Sequence, residues 1–322
     1  MDFRINDQPF IYREFLMYMQ SVKGKSINTV KEYALDLHVF FQFMKNYKQP
    51  GSVPDDLTET DISDLNYVFA DSISLVDIYA YLTYMAESRG NTAATRARKV
   101  ACLRSYFKYM SSKAGYIKDN PAKELDSPKL KQALPKYLNL EESKELLSAV
   151  DGKNKYRDYA ILTLFLNCGL RLSELVNINL NDFKDDILIV TGKGNKERVI
   201  YLNDACLSAV KNYLRVRPND GVVDKKALFL SNRGTRISNK TVQWLVKKYI
   251  KTAGLDETKY SVHKLRHTAA TLMYKYAHTD LRTLQEILGH NQLATTQIYT
   301  HVDDEQRRNA VKNNPLSEIT EE

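Results

Sequence analysis

The stretch DNPAKELDSPKLKQALPK (119–136) interrupts an otherwise helical sequence. Its three prolines fix φ, remove backbone donors and turn the residues before them away from helix. A chain of 322 residues is long for one core and ordinary for two. The break therefore predicts a first domain over 1–118, a basic linker over 119–136 and a second domain over 137–322.

On both sides of the break, apolar residues recur at helical spacing. PFIYREFLMYMQSV (9–22) reads as a helix. Thr29 is placed to cap the next one (30–47), where Tyr33, Leu37, Phe40, Phe41 and Met44 share a stripe. Residues 48–74 look like an extended loop, with two prolines, a glycine and an acidic cluster near its start. Further helices are expected over 75–88 and 93–115, and, in the second domain that opens with YLNLEESKELLSAV (137–150), over 156–168, 204–216, 239–253, 262–277, 280–289 and 293–300. Gly169 stands where the 156–168 helix should end in a left-handed cap. One segment breaks the helical rule: DDILIVTGKGNKERVIYLN (185–203) is two short β-branched runs around a Gly-Lys-Gly-Asn turn, a hairpin. With 12 glycines, few for this length, the composition agrees with a mainly α protein of the α+β kind. It would pair a helical bundle with a mostly helical domain holding a small antiparallel β-sheet.

The net charge of +8 is modest, but it is concentrated. Between Arg89 and Lys136 twelve Lys and Arg face three acids, a net +9 that accounts for the whole excess. A positive stripe of this kind suits a phosphate backbone, although a solvated helix face with a flexible linker has the same composition. Cys102, Cys168 and Cys206 are scattered in apolar helical contexts, without metal spacing or a disulfide framework. The opening MDFRINDQPF lacks signal-peptide character, and no apolar run approaches the roughly 20 residues of a membrane span. A reducing, cytoplasmic setting without membrane contact is the expectation.

Four separated pieces can carry chemistry. In CGLRLSEL (168–175), Glu174 follows Arg171 by three residues and can hold its guanidinium, whose planar fork meets two phosphate oxygens at once. Arg/Glu pairs at this spacing are more often plain surface ion pairs. In TGKGNKER (191–198), Lys193 sits at the hairpin tip between glycines, as an ordinary lysine-rich turn also would. The P-loop pattern is absent there. In SVHKLRHTAATL (261–272), His263 and Arg266 share a helical face. His267 raises a zinc reading, weakened by the lack of a third ligand at suitable spacing, and it also suits a core histidine. In LGHNQLATTQIYTHV (288–302), Tyr299 follows His290 by nine residues, one tyrosine among 21.

Taken together, GLRLSEL, GKGNKER, HKLRH, LGH and TTQIYTH in this order resemble the tyrosine recombinases, and within them the XerC/XerD group. The segment INTVKEYALDL extends the resemblance to that family's N-terminal DNA-clamping domain, so it covers nearly the whole chain. The resemblance implies that Arg171, Lys193, His263, Arg266, His290 and Tyr299 are catalytic, Tyr299 being the nucleophile and Glu174 orienting Arg171. It implies a 3′-phosphotyrosine intermediate with no cofactor and no metal. The partners it implies are double-stranded DNA with an inverted-repeat core site, three further subunits in a homotetramer or a heterotetramer with a paralogue, and a septal DNA translocase. Arg96, Arg98, Lys99, Arg104, Lys129 and Lys131 are the expected DNA-binding residues. Resolution of chromosome or plasmid dimers is the task the resemblance favours, with integration of a mobile element as the alternative. A type IB topoisomerase and a DNA-binding protein with a dead site fit the motifs less well.

Overall fold

The computed structural model describes residues 3–49, 53–54, 56–130, 136–192, 197–277 and 279–289. Two units separate by their internal packing, Met1–Gln132 and Ala133–Glu322.

The first unit is built from α1 (Phe10–Ser21), α2 (Ile27–Tyr47), α3 (Tyr67–Asp71), α4 (Leu75–Glu87) and α5 (Ala93–Ser112). Its core is aromatic: Phe40 meets Phe41, Tyr81 and Phe107 edge to face, and Phe15 meets Tyr106 in the same way. Leu37, Phe40, Phe41 and Met44 of the expected stripe are buried in it. The cap of α2 is Ser26 rather than Thr29: the Thr29 N–H donates to the Ser26 hydroxyl, so the helix begins three residues earlier than expected. Residues 48–74 are not an extended loop throughout. Asn66 caps α3, and Leu57, Ile62, Leu65, Ala70 and Ile73 are buried. Their spacing is irregular because they reach the core from turns, and such burial leaves no period to read.

The first core also claims residues beyond 118. Ala122 and Leu125 are buried in it, and Arg104 donates to the Leu125 carbonyl. The segment expected to be linker therefore begins as part of the first unit's packing.

The second unit is arranged around α7 (Lys155–Cys168), a helix buried along most of its length. Around it lie α6 (Leu140–Ser148), α8 (Leu172–Asn177), α9 (Asp204–Val216), α10 (Asn239–Thr252), α11 (Val262–Tyr276) and α12 (Leu281–Leu288). The β signal becomes a three-stranded antiparallel sheet, β1 (Phe183–Lys184), β2 (Ile187–Thr191) and β3 (Glu197–Tyr201), in that order. Thr191 pairs with Glu197, which sets the hairpin register, and Leu188, Val190 and Ile200 turn into the core. The two-residue β1 was not expected. The Leu138 N–H donates to the Thr268 hydroxyl, tying the start of this unit to α11. The three cysteines are free and buried, with the Cys168 and Cys206 sulfurs 3.7 Å apart. The expected helix over 293–300 lies outside the described residues.

Candidate active site

Helix α7 ends at Gly169, in the left-handed conformation (φ 58°). The chain then turns so that Arg171 becomes the N-cap of α8 and Glu174 its third residue. The Arg171 N–H donates to Glu174 Oε2 at 2.8 Å, and the Arg171 guanidinium donates to Oε1 at 2.6 Å. The Glu174 side chain is 0% exposed. A second guanidinium meets it: Arg198 of β3 donates to Oε2 at 2.8 Å. Burial pushes the Glu174 carboxyl up, but Arg198 and then Arg171 outweigh it and hold the group below the usual carboxylate range.

The end of helix α12 meets the same arginines. Its last carbonyls have no intrahelical partner and carry the negative end of the helix dipole. Arginines take three of them in succession. Arg198 donates to the Ile287 carbonyl, Arg266 to that of Leu288 at 2.5 Å and Arg171 to that of Gly289 at 2.6 Å. Arg266, buried on α11, also donates to the Gly169 carbonyl at 2.5 Å. Two helix ends are thus clasped by one guanidinium.

Both ends require glycine. At Gly169 (φ +58°) an added Cβ would lie 2.7 Å from Leu288 Cδ2, and at Gly289 (φ +63°) 2.8 Å from Arg198 Cδ.

Arg171, His263 and Arg266 line one cavity of about 710 Å³, together with Tyr260, Gln243 and Lys247. Burial lowers the pKa of His263, and the neighbouring cations Arg266, Lys264 and Arg171 lower it further. The imidazole is therefore neutral near pH 7 and able to accept a proton. The ring of His267 packs edge-on against it with centroids 4.8 Å apart, and its own pKa is pushed down to about 4, first by burial and then by His263. Among the described residues no group of three His, Cys, Asp or Glu could hold a metal ion.

Of the residues singled out from the sequence, the structure brings together Arg171, Glu174, His263 and Arg266. Lys193, His290, Tyr299 and Lys131 lie outside the described residues. The expected DNA-binding set divides. Lys99 is 7% exposed and paired with the buried Asp36 at 2.8 Å, so its charge serves the first core instead of an outer surface. Arg98 is exposed but pairs with the same Asp36 and with Glu32. Arg96 donates to the Asn91 carbonyl, Arg104 holds Leu125, and Lys129 is exposed.

Two features escaped the sequence reading. Arg198 looked like part of a lysine-rich turn. The outer face of α10 carries Lys240, Gln243, Trp244 and Lys247, all exposed at helical spacing, with Trp244, the chain's single tryptophan, 65% exposed. The i, i+3, i+4, i+7 run of polar side chains with one bare indole was the available signal.

Two guanidiniums and a neutral imidazole thus meet on one cleft of a helical domain with a small sheet. A profile described as the phage integrase family matches residues 136–306. Tyrosine recombinase XerC of Caldanaerobacter subterraneus subsp. tengcongensis is 60% identical over 312 residues, covering 96% of this chain and 88% of the relative. Tyrosine recombinase XerD of Proteus mirabilis is 35% identical over 306 residues, covering 93% and 90%. The crystal structure of the XerH site-specific recombinase bound to a palindromic difH substrate, a post-cleavage complex, aligns with a TM-score of 0.67 at 24% identity, covering 93% and 94% of the two chains. The chain belongs to the tyrosine recombinases of the phage integrase family, on the XerC/XerD side of it, and is a DNA-recombining enzyme.

Proposed function

We propose that this recombinase cuts one DNA strand by attack of Tyr299 on the scissile phosphate, giving a 3′-phosphotyrosine and a free 5′-hydroxyl. The observation that carries this reading is the convergence of Arg171, Arg266 and neutral His263 on one cavity. Arg171 and Arg266 hold the non-bridging oxygens, aimed beforehand at the charge that develops in the phosphorane. His263 takes the tyrosine proton or positions the phosphate. Lys193 protonates the leaving 5′-oxygen, and His290 adds a third donor. Because the covalent link conserves the bond energy, the 5′-hydroxyl of another strand can reverse the step without ATP.

The XerC and XerD names of the similar proteins favour resolution of chromosome or plasmid dimers, in chromosome partition and cell division in the cytoplasm. In that role four subunits, of one kind or shared with a paralogue, assemble on two inverted-repeat sites, and a septal DNA translocase is a further partner. Among the described residues no helix is long and apolar enough to cross a membrane. Arg96, Arg98, Arg104, Lys129 and Lys131 contact phosphates from the first unit and linker, and the outer face of α10 contacts DNA beside the cavity.

A nicked suicide substrate tests the chemistry. Wild-type protein should be trapped on the 3′-phosphate, and Tyr299→Phe should bind the same DNA without forming an SDS-resistant adduct. An adduct with the Phe variant, or one on the 5′ side, overturns the assignment.

A further inference from the structure

Arg198 has no part in the chemistry proposed above, and it does not line the cavity that Arg171, His263 and Arg266 share. Its side chain is 12% exposed against 34% for Arg171, so it faces the framework while Arg171 faces the cleft. Yet it touches both halves of the site. Its guanidinium forks onto Glu174, Nη2 to Oε2 at 2.8 Å and Nε to Oε1 at 3.4 Å. Its remaining terminal nitrogen donates to the Ile287 carbonyl at the end of α12.

The fork has two physical consequences. The first is aim. An ionised carboxylate offers about four lone-pair sites, and Glu174 gives two to Arg198 and two to Arg171. The terminal carboxylate torsion is soft, so without the fork the plane of Glu174 turns and the Arg171 guanidinium bonded to Oε1 turns with it. The second is charge. A buried carboxylate beside Arg171 alone makes a neutral pair, which presents little net field to a phosphate. With Arg198 behind it the trio carries a net +1, and the exposed member of the trio is Arg171.

We infer that Arg198 is a positioning residue for strand cleavage, which fixes the plane of Glu174 and cancels its charge so that Arg171 acts on the phosphate as an aimed, uncompensated cation. This rests on the reading of Arg171 as a phosphate ligand.

The test is a double-mutant cycle in the full-length protein. Single-turnover cleavage of the suicide substrate is measured at saturating DNA for wild type, Arg198→Gln, Arg198→Lys, Arg171→Ala and the Arg171→Ala/Arg198→Gln double variant. Folded content is checked by circular dichroism. Arg198→Gln should slow cleavage by about 10- to 100-fold, the loss expected when a reacting group is misaimed by about an ångström. Its DNA affinity should stay within about 2-fold of wild type, since Arg198 faces away from the cleft. Arg198→Lys, which keeps the charge and loses the fork, should recover part of the rate. In the Arg171→Ala background, Arg198→Gln should add less than about 2-fold, because the residue it positions is gone.

A wild-type rate in Arg198→Gln overturns the inference. So does a full multiplicative loss in the Arg171→Ala background, as a general loosening of β3 and α12 would give. If Arg198→Gln does not fold, Arg198→Lys run through the same cycle decides by the same criteria. A wild-type rate in Arg171→Ala itself would instead remove Arg171 from the reaction, and the role of Arg198 with it.

Discussion

Glu174 keeps its charge in the core of the second unit because two guanidiniums and a backbone N–H meet it there. Glu174→Gln would leave those guanidiniums facing a neutral amide, and a broken buried ion cluster costs about 3–5 kcal/mol. Urea unfolding of that variant should show a loss of this size. Arg171→Ala and Arg266→Ala should each slow single-turnover cleavage by on the order of 100-fold or more, as removal of a preorganised donor does. Their DNA affinity should fall much less, because the proposed contacts spread over many other phosphates. The two histidines predict pH behaviour. His263 is depressed below the ordinary value of about 6.5, so cleavage should hold its rate as pH falls past 6.5 and decline only lower. In His263→Gln that acid limb should disappear from the pH–rate profile. His267 is also depressed, to about 4. Between 6.5 and 4 the unfolded chain binds more protons at this position than the folded one, so stability falls as pH drops through that window and levels off below it. Denaturation midpoints measured from pH 7 to 4 should fall less steeply in His267→Gln.

At the level of elements, the site hangs on two left-handed helix ends, of α7 and of α12. Gly289→Ala combines a strained φ, about 1–2 kcal/mol, with a clash against Arg198. Gly254 has a similar φ of 72° and open space around its missing Cβ. Gly289→Ala should therefore lower both melting temperature and cleavage rate, while Gly254→Ala lowers only the first. A wild-type cleavage rate in Gly289→Ala would separate the α12 end from catalysis. Much of this was legible beforehand. The expected bounds of the 156–168 and 280–289 helices fall within a residue or two of α7 and α12, because a long apolar period closed by glycine is a local signal. The Arg171–Glu174 pair was visible for the same reason. Arg198 was not, because what buries it lies 24 residues earlier at Glu174 and 89 residues later at Ile287. No local pattern distinguishes such an arginine from a solvated one. Lys99 failed in the opposite direction: it read as surface charge, and Asp36, 63 residues away, draws it inward. Helix α3 was missed because five residues hold too little period to stand out.

Across the whole molecule, the two units divide the charge between them. The first carries most of the +9 stripe, while the second holds the arginine cluster and the exposed face of α10. Binding of the full chain should weaken steeply with salt, with a slope that counts the phosphates neutralised. A fragment starting at Ala133 should show a shallower slope if the first unit supplies its share, measured by fluorescence anisotropy at several salt concentrations. An unchanged slope would place DNA binding wholly in the second unit. Trp244→Ala should weaken binding of both forms at constant melting temperature, because the indole is exposed and no core depends on it.

The clasp between Arg171 and the Gly289 carbonyl joins residues 118 positions apart, and Arg266 reaches back 97 positions to Gly169. During translation, then, this arginine cluster cannot form until the ribosome has passed residue 289. A polypeptide that stalls or is clipped before residue 289 lacks the helix end on which three arginines converge. For a DNA-recombining enzyme, a polypeptide released before that point therefore cannot assemble the cluster.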